Sequence, residues 1–202
     1  MRMFIAVEIP EDIRRSLGEY ANILKRLVPN VKWVSAENMH LTMKFLGEVD
    51  EKRIAEITEF SKLALKGFGS FTVEFSHLGF FPNARSPRVI WIGTSGAVDR
   101  LLELYQDLEE SLEKIGFDRE AKMFSPHLTI GRAKHQAQIV VPSCIPEFEE
   151  VSFEVKGISL IKSTLTPQGP LYETLSDMPF GELSYMEKGI SGGAPEENEL
   201  IR

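Results

Sequence analysis

The sequence predicts an α+β fold: a bilobal, pseudo-symmetric body with two antiparallel sheets facing a central cleft and helices outside. Three observations carry this expectation. His-Leu-Thr occurs twice, as His40-Leu41-Thr42 and His127-Leu128-Thr129, each in a short run that alternates like a half-buried strand. One helix begins near Glu11, 29 residues before His40, and another near Val98, 29 residues before His127. Each motif strand is followed, after a gap, by further strands, and strand-rich units with short turns favour antiparallel pairing. One αββ-containing unit used twice would set the two motif strands across a shared cleft.

The elements follow in order. Arg2–Ile9 alternates as a strand. Pro10 then starts a helix on which Ile13, Leu17, Tyr20, Leu24 and Leu27 share a face, and Pro29-Asn30 stops it. Val31–Val34 is a short strand, and the first motif strand, residues 39–46, is closed by Gly47. Asp50 caps a helix over roughly 51–66, with Gly67 just past its end. Phe71–Phe75 and Arg88–Ile92 are strands separated by the loop signals Pro82-Asn83 and Ser86-Pro87. Val98, Leu101, Tyr105, Leu108, Leu112 and Ile115 form the clearest helical stripe, ended by Gly116. Pro126 opens the second motif strand, residues 127–132, and further strands are expected at Val151–Val155, Ile158–Ile161 and Leu171–Leu175. Gln168-Gly169-Pro170 marks the turn between the last two. Residues 1–180 thus read as one bilobal domain, and the acidic, glycine-containing tail 181–202 as flexible.

Composition narrows the function. The 202 residues are 43% hydrophobic and 26% charged, as in ordinary globular proteins. The net charge of −7 argues against a protein that grips long duplexes through phosphates, but leaves room for a local basic pocket. A single cysteine, Cys144, excludes an internal disulfide, fits a reducing cytoplasm, and reads as a small semi-buried apolar residue. The first apolar run is broken by Glu8 and Pro10, so it does not read as an export signal. No stretch approaches the ~20 apolar residues needed to span a bilayer.

On a strand, residues i and i+2 share a face, so each motif presents an imidazole beside a hydroxyl. Histidine titrates near neutrality, so one of a pair can be protonated while the other is neutral. That is the requirement for phosphodiester cleavage by acid–base catalysis, with threonine hydroxyls donating to the non-bridging oxygens. With no His-x-x-x-His and no cysteine pair, no metal is expected. Lys44 shares the face of His40 and Thr42 if its strand is regular, where it would meet either the phosphate or solvent. Arg132 falls on the face opposite His127 under strict alternation, and reaches the site only if Gly131 permits a bulge or the strand ends there. His77, near a strand end, reads as structural, and His135 as solvated. Phe80, Phe81 and Tyr172 could stack a base, with core packing the expected role for each.

The flanks of the motifs resemble one family. Phe4-Ile5-Ala6-Val7, Lys32-Trp33-Val34, His40-Leu41-Thr42-Met43-Lys44-Phe45-Leu46-Gly47, Pro87-Arg88-Val89-Ile90-Trp91 and Phe124-Ser125-Pro126-His127-Leu128-Thr129-Ile130-Gly131-Arg132 are similar to the RNA 2′,3′-cyclic phosphodiesterases (2′-5′ RNA ligases) of the 2H phosphoesterase superfamily. The resemblance implies hydrolysis of an RNA 2′,3′-cyclic phosphate to a 2′-phosphomonoester without metal or nucleotide cofactor. It implies His40 as proton donor to the leaving 3′-oxygen, His127 as the base that activates water, Thr42 and Thr129 as phosphate holders, and Arg132 as a further phosphate contact. The same groups in reverse would join a 5′-hydroxyl to a cyclic phosphate in a 2′-5′ linkage. The implied partner is an RNA with a cyclic phosphate end, tRNA halves included, acted on by a cytoplasmic monomer. Two alternatives stay open: a non-catalytic RNA-end binder, and a phosphodiesterase for a small cyclic nucleotide.

Overall fold

The computed structural model describes residues 1–134, 139–167 and 169–181. His135 and all but the first residue of the acidic tail lie outside them, so the expectations for those segments are not addressed. Among the described residues nine strands and three α-helices follow in order: β1 (Arg2–Glu8), α1 (Glu11–Leu27), β2 (Val31–Trp33), β3 (His40–Glu48), α2 (Ile54–Ala64), β4 (Phe71–Phe81), β5 (Val89–Ser95), α3 (Val98–Glu113), β6 (His127–Ala133), β7 (Val151–Val155), β8 (Gly157–Thr166) and β9 (Gly169–Pro179). The fold is α+β, with two sheets in which every pairing is antiparallel.

The helices form where the apolar stripes required them. Glu11 and Asp12 lie in the first turn of α1, Lys25 and Arg26 in its last, complementing the helix dipole. Leu17, Tyr20 and Leu24 bury the inner face of α1, which touches β2 and β7. Leu101, Leu104, Leu108 and Leu112 of α3 are fully buried, and α2 and α3 pack on each other and against β3 and β9. Truncating any of these four leucines to alanine costs ~2–5 kcal/mol. The expected helix over 51–66 opens instead as a 3-10 turn, Glu51–Arg53, because the Asp50 carboxylate accepts the Lys52 N–H at 3.0 Å and tightens the entry.

The sheets are ordered β3-β1-β8-β9 and β2-β6-β5-β4-β7. Neither is one half of the chain: β8 and β9 complete the sheet begun by β1 and β3, while β2, β4 and β5 share a sheet with β6 and β7. The repeat is therefore interlaced rather than side by side. β4, β8 and β9 also run well beyond the segments that alternation marked. Each extension passes a register shift, between Phe75 and His77 in β4 and between Leu160 and Ile161 in the β8–β9 pair, where the period-two signal breaks although pairing continues. Cys144, expected to be semi-buried, is exposed in the segment between β6 and β7, away from the packed strands.

Candidate active site

β3 and β6 lie on different sheets, yet their Cα atoms approach within 8 Å, so the two motif strands come together where the sheets adjoin. The two histidines are held alike. His40 Nδ1 is 2.9 Å from the carbonyl oxygen of Asn38, and His127 Nδ1 is 2.7 Å from that of Ser125, two residues upstream in each case. A carbonyl only accepts, so Nδ1 carries the hydrogen and Nε2 is left as the free basic nitrogen. Asn38 is itself fixed, its side-chain amide donating to Ser35 Oγ at 3.2 Å and to the Pro170 carbonyl at 3.0 Å.

Each imidazole rests on aromatic rings. Phe4 lies 4.6 Å from His40 and Tyr172 meets it edge-on at 5.1 Å; Phe81 meets His127 edge-on at 5.0 Å and Trp91 at 6.0 Å. These rings exclude water from one side of each base. Burial accordingly pushes His40 down from the ordinary imidazole range to about 4, against the opposing hydrogen bond to Asn38, and the Arg132 cation adds to the fall. His127 is lowered for the same reasons, burial first. Phe81 and Tyr172 thus belong to the site, whereas Phe80 packs on the core. The sequence offered Phe80, Phe81 and Tyr172 as rings that could stack a base, with core packing the expected role for each; the pairing of β4 with β5 and β5 with β6, and of β9 with β8, β8 with β1 and β1 with β3, brings Phe81 to His127 and Tyr172 to His40.

Two matched bulges decide which residues reach the site. In β3, Ile5 faces Lys44 and Ala6 faces Thr42, so Met43 is an extra residue. Met43 and Lys44 are consecutive and both buried, and Phe45 returns to the face of Thr42, half-exposed and 6.0 Å from Phe4. Lys44 is therefore neither a phosphate ligand nor solvated, as regular alternation had suggested. It points into the opposite face, pairs with Glu109 of α3 and donates to the Asp118 carbonyl at 2.9 Å. In β6, Ile90 faces Gly131 and Trp91 faces Thr129, so the bulge falls at Ile130–Gly131. A Cβ on Gly131 would lie 2.7 Å from Val31 Cγ1, so only glycine fits under β2 there. The shift brings Arg132, exposed, onto the face of His127 and Thr129. Its charge lowers His40 and His127 alike and also acts on Tyr172. Thr42 and Thr129 are half-buried on the same faces, and neither hydroxyl is engaged by another group among the described residues.

His77 is not the structural strand-end residue that alternation implied. It stands within β4, exposed, in the cross-strand row His77–Gly93–His127. Among the described residues, no group of three or more His, Cys, Asp or Glu side chains could hold a metal ion.

A family model described as LigT-like phosphoesterase matches this chain twice, over residues 7–91 and 92–172. The chain belongs to that family. An RNA 2′,3′-cyclic phosphodiesterase of Thermotoga maritima is 39% identical over 183 residues, covering 89% of this chain and 96% of that protein. The crystal structure of TT0787 of Thermus thermophilus superposes with a TM-score of 0.74 at 27% identity, over 89% of this chain and 98% of that one. E. coli LigT complexed with 3′-AMP gives 0.70 at 25% identity, over 89% and 97%. The two family matches divide the chain between Trp91 and Ile92 and leave one histidine motif in each half. This LigT-like chain is an enzyme, a phosphodiesterase of the 2H group.

Proposed function

We propose that the protein opens 2′,3′-cyclic phosphodiester ends of RNA to 2′-phosphomonoesters, with His40 as proton donor and His127 as proton acceptor. One observation supports the proposal: both histidines are tied through Nδ1 to a carbonyl, which leaves Nε2 of each as the basic nitrogen, and the charge of Arg132 reaches both. His127 Nε2 takes a proton from water as the water oxygen bonds to phosphorus. The bond from phosphorus to the 3′-oxygen breaks, and His40 supplies the proton to that oxygen. Thr42, Thr129 and Arg132 hold the non-bridging oxygens, where charge builds in the transition state.

In the free enzyme burial holds His40 well below the ordinary imidazole range, at about 4, so it is neutral near pH 7. The donor role therefore requires the bound phosphate anion, which offsets Arg132 and favours the imidazolium. Binding thus precedes charging of the acid. With the base, acid and cation all supplied by side chains, the reaction needs no metal or nucleotide cofactor. A 5′-hydroxyl in place of water would give a 2′-5′ linkage by the same two transfers. All the groups come from residues 1–180 of one chain, which act as a single bilobal catalytic unit, and a monomer suffices. Among the described residues no helix is long and apolar enough to cross a membrane; an RNA substrate fits a cytoplasmic enzyme. The names of the relatives support this substrate. The test is incubation with an RNA ending in 2′,3′-cyclic phosphate and chromatographic analysis of the end. A 2′-phosphate is expected, and a 3′-phosphate or an unchanged end refutes the mechanism.

A further inference from the structure

A third bulge lies in this site, and it governs a residue the acid–base mechanism does not use. In β4, Phe75 faces Thr94 and His77 faces Gly93, so Ser76 is the extra residue. Before it, Val73 and Phe75 point into the core, and strict alternation would bury residue 77 as well. The bulge instead turns His77 out onto the face that carries His127. There Gly93 makes room for it. A Cβ on Gly93 would lie 2.2 Å from Cε1 and 2.3 Å from Nε2 of the imidazole, so the ring lies directly over the β5 backbone. Since β5 is all that separates β4 from β6, this lays the ring toward His127 by about one strand spacing, ~4.8 Å. The ring meets Trp91 edge-on at 5.5 Å, and Trp91 in turn touches His127. Ser76 Oγ lies 3.1 Å from Nδ1. Among the described residues, no carboxylate pairs with His77.

We propose that His77 is a specificity-determining residue that takes the phosphodiester on the 5′ side of the terminal nucleotide, so that the enzyme selects oligonucleotides over cyclic mononucleotides. This rests on the cyclic phosphodiesterase reading of the site. A nucleoside 2′,3′-cyclic phosphate carries its only charge on the cyclic phosphate, which occupies Arg132 and the two motif histidines. A substrate that extends past His127 across β5 brings one further anion, the adjoining phosphodiester, and His77 is the group waiting there. In the tautomer whose Nδ1 accepts from Ser76 Oγ, Nε2 carries the hydrogen and donates to a phosphate oxygen. On a chain of net charge −7, no diffuse positive field does this work, so a local donor decides it.

The test compares kcat/KM for a dinucleotide ending in 2′,3′-cyclic phosphate with that for the matching nucleoside 2′,3′-cyclic phosphate, in the intact protein and in His77→Ala. The natural protein is expected to prefer the dinucleotide roughly ten- to 150-fold, in line with one hydrogen bond to a charged group. His77→Ala is expected to bring that ratio near one. Because the ratio is taken within each variant, loss of folded protein cancels from it. A natural protein without the preference, or a variant that keeps it, overturns the role of His77. Failure to turn over either substrate overturns the reading of the site itself.

Discussion

Lys44→Met tests whether the bulge in β3 has put a charge where only a partner makes it tolerable. The Lys44 side chain is 1% exposed and that of Glu109 is 4% exposed. Methionine fills much of the same volume but leaves the Glu109 carboxylate buried with only the Glu120 N–H, 2.9 Å away, and deprives the Asp118 carbonyl of its donor. Removing one member of a buried pair costs ~3–5 kcal/mol. For a chain of this size each kcal/mol moves the melting temperature by ~2–4 °C, so a fall of roughly 6–20 °C is expected. Glu109→Leu should cost a similar amount by stranding the ammonium. The double variant strands neither charge, and the orphaned groups of Asp118 and Glu120 belong to exposed residues, free to turn to water. It should therefore be more stable than either single variant, which means a coupling energy larger than the cost of either one, above ~3 kcal/mol. Urea melts followed by circular dichroism measure all four corners of the cycle. A cost below about 1 kcal/mol for Lys44→Met, or a double variant as unstable as the two singles summed, refutes the reasoning.

Replacing His40 or His127 by alanine should each lower cyclic phosphate hydrolysis by ~10²-fold or more, and a loss under tenfold in both would sink the two-histidine mechanism. In the free enzyme burial holds both imidazoles below their ordinary range, so the pH profile of kcat/KM should peak below pH 6.5. Arg132 contributes to that lowering because a nearby cation disfavours imidazolium. Arg132→Gln should therefore move both limbs of the profile to higher pH; an unmoved or acid-shifted bell contradicts its action on both histidines. Activity should survive dialysis against a chelator, and its loss, restored by a divalent ion, would bring a metal into the mechanism.

The sequence carried the elements further than the site. The α1 and α3 stripes were plain because each repeats one period without interruption, and the motif strands because each opens on the same His-Leu-Thr alternation ahead of its bulge. What alternation alone could not supply was the phase of a strand after an inserted residue. For Arg132 the glycine at 131 flagged the possibility, since only glycine could pass beneath Val31. For Lys44 nothing did: Met43 looks like an ordinary core residue, and the buried pair with Glu109 depends on how α3 crosses β3. Ser76 is equally silent, which left His77 read as a structural residue near a strand end. The partners of His40 were hidden for a different reason. Tyr172 and Pro170 reach it through the pairing of β1 with β8 and β9 with β8, contacts between the two ends of the described chain.

That pairing also sets a timetable. β1 and β3 are made first, yet the sheet on which His40 sits lacks half its strands until β8 and β9 exist, and the Asn38 amide that steadies His40 waits for the Pro170 carbonyl. At ~5–20 residues per second, the interval between synthesis of His127 and of Tyr172 lasts seconds. A nascent chain in that interval holds both histidine motifs but no finished catalytic centre. It also presents β1 with one edge unpaired, the edge most open to wrong pairing. The proposed site is complete in this protein only once the β8–β9 hairpin has formed.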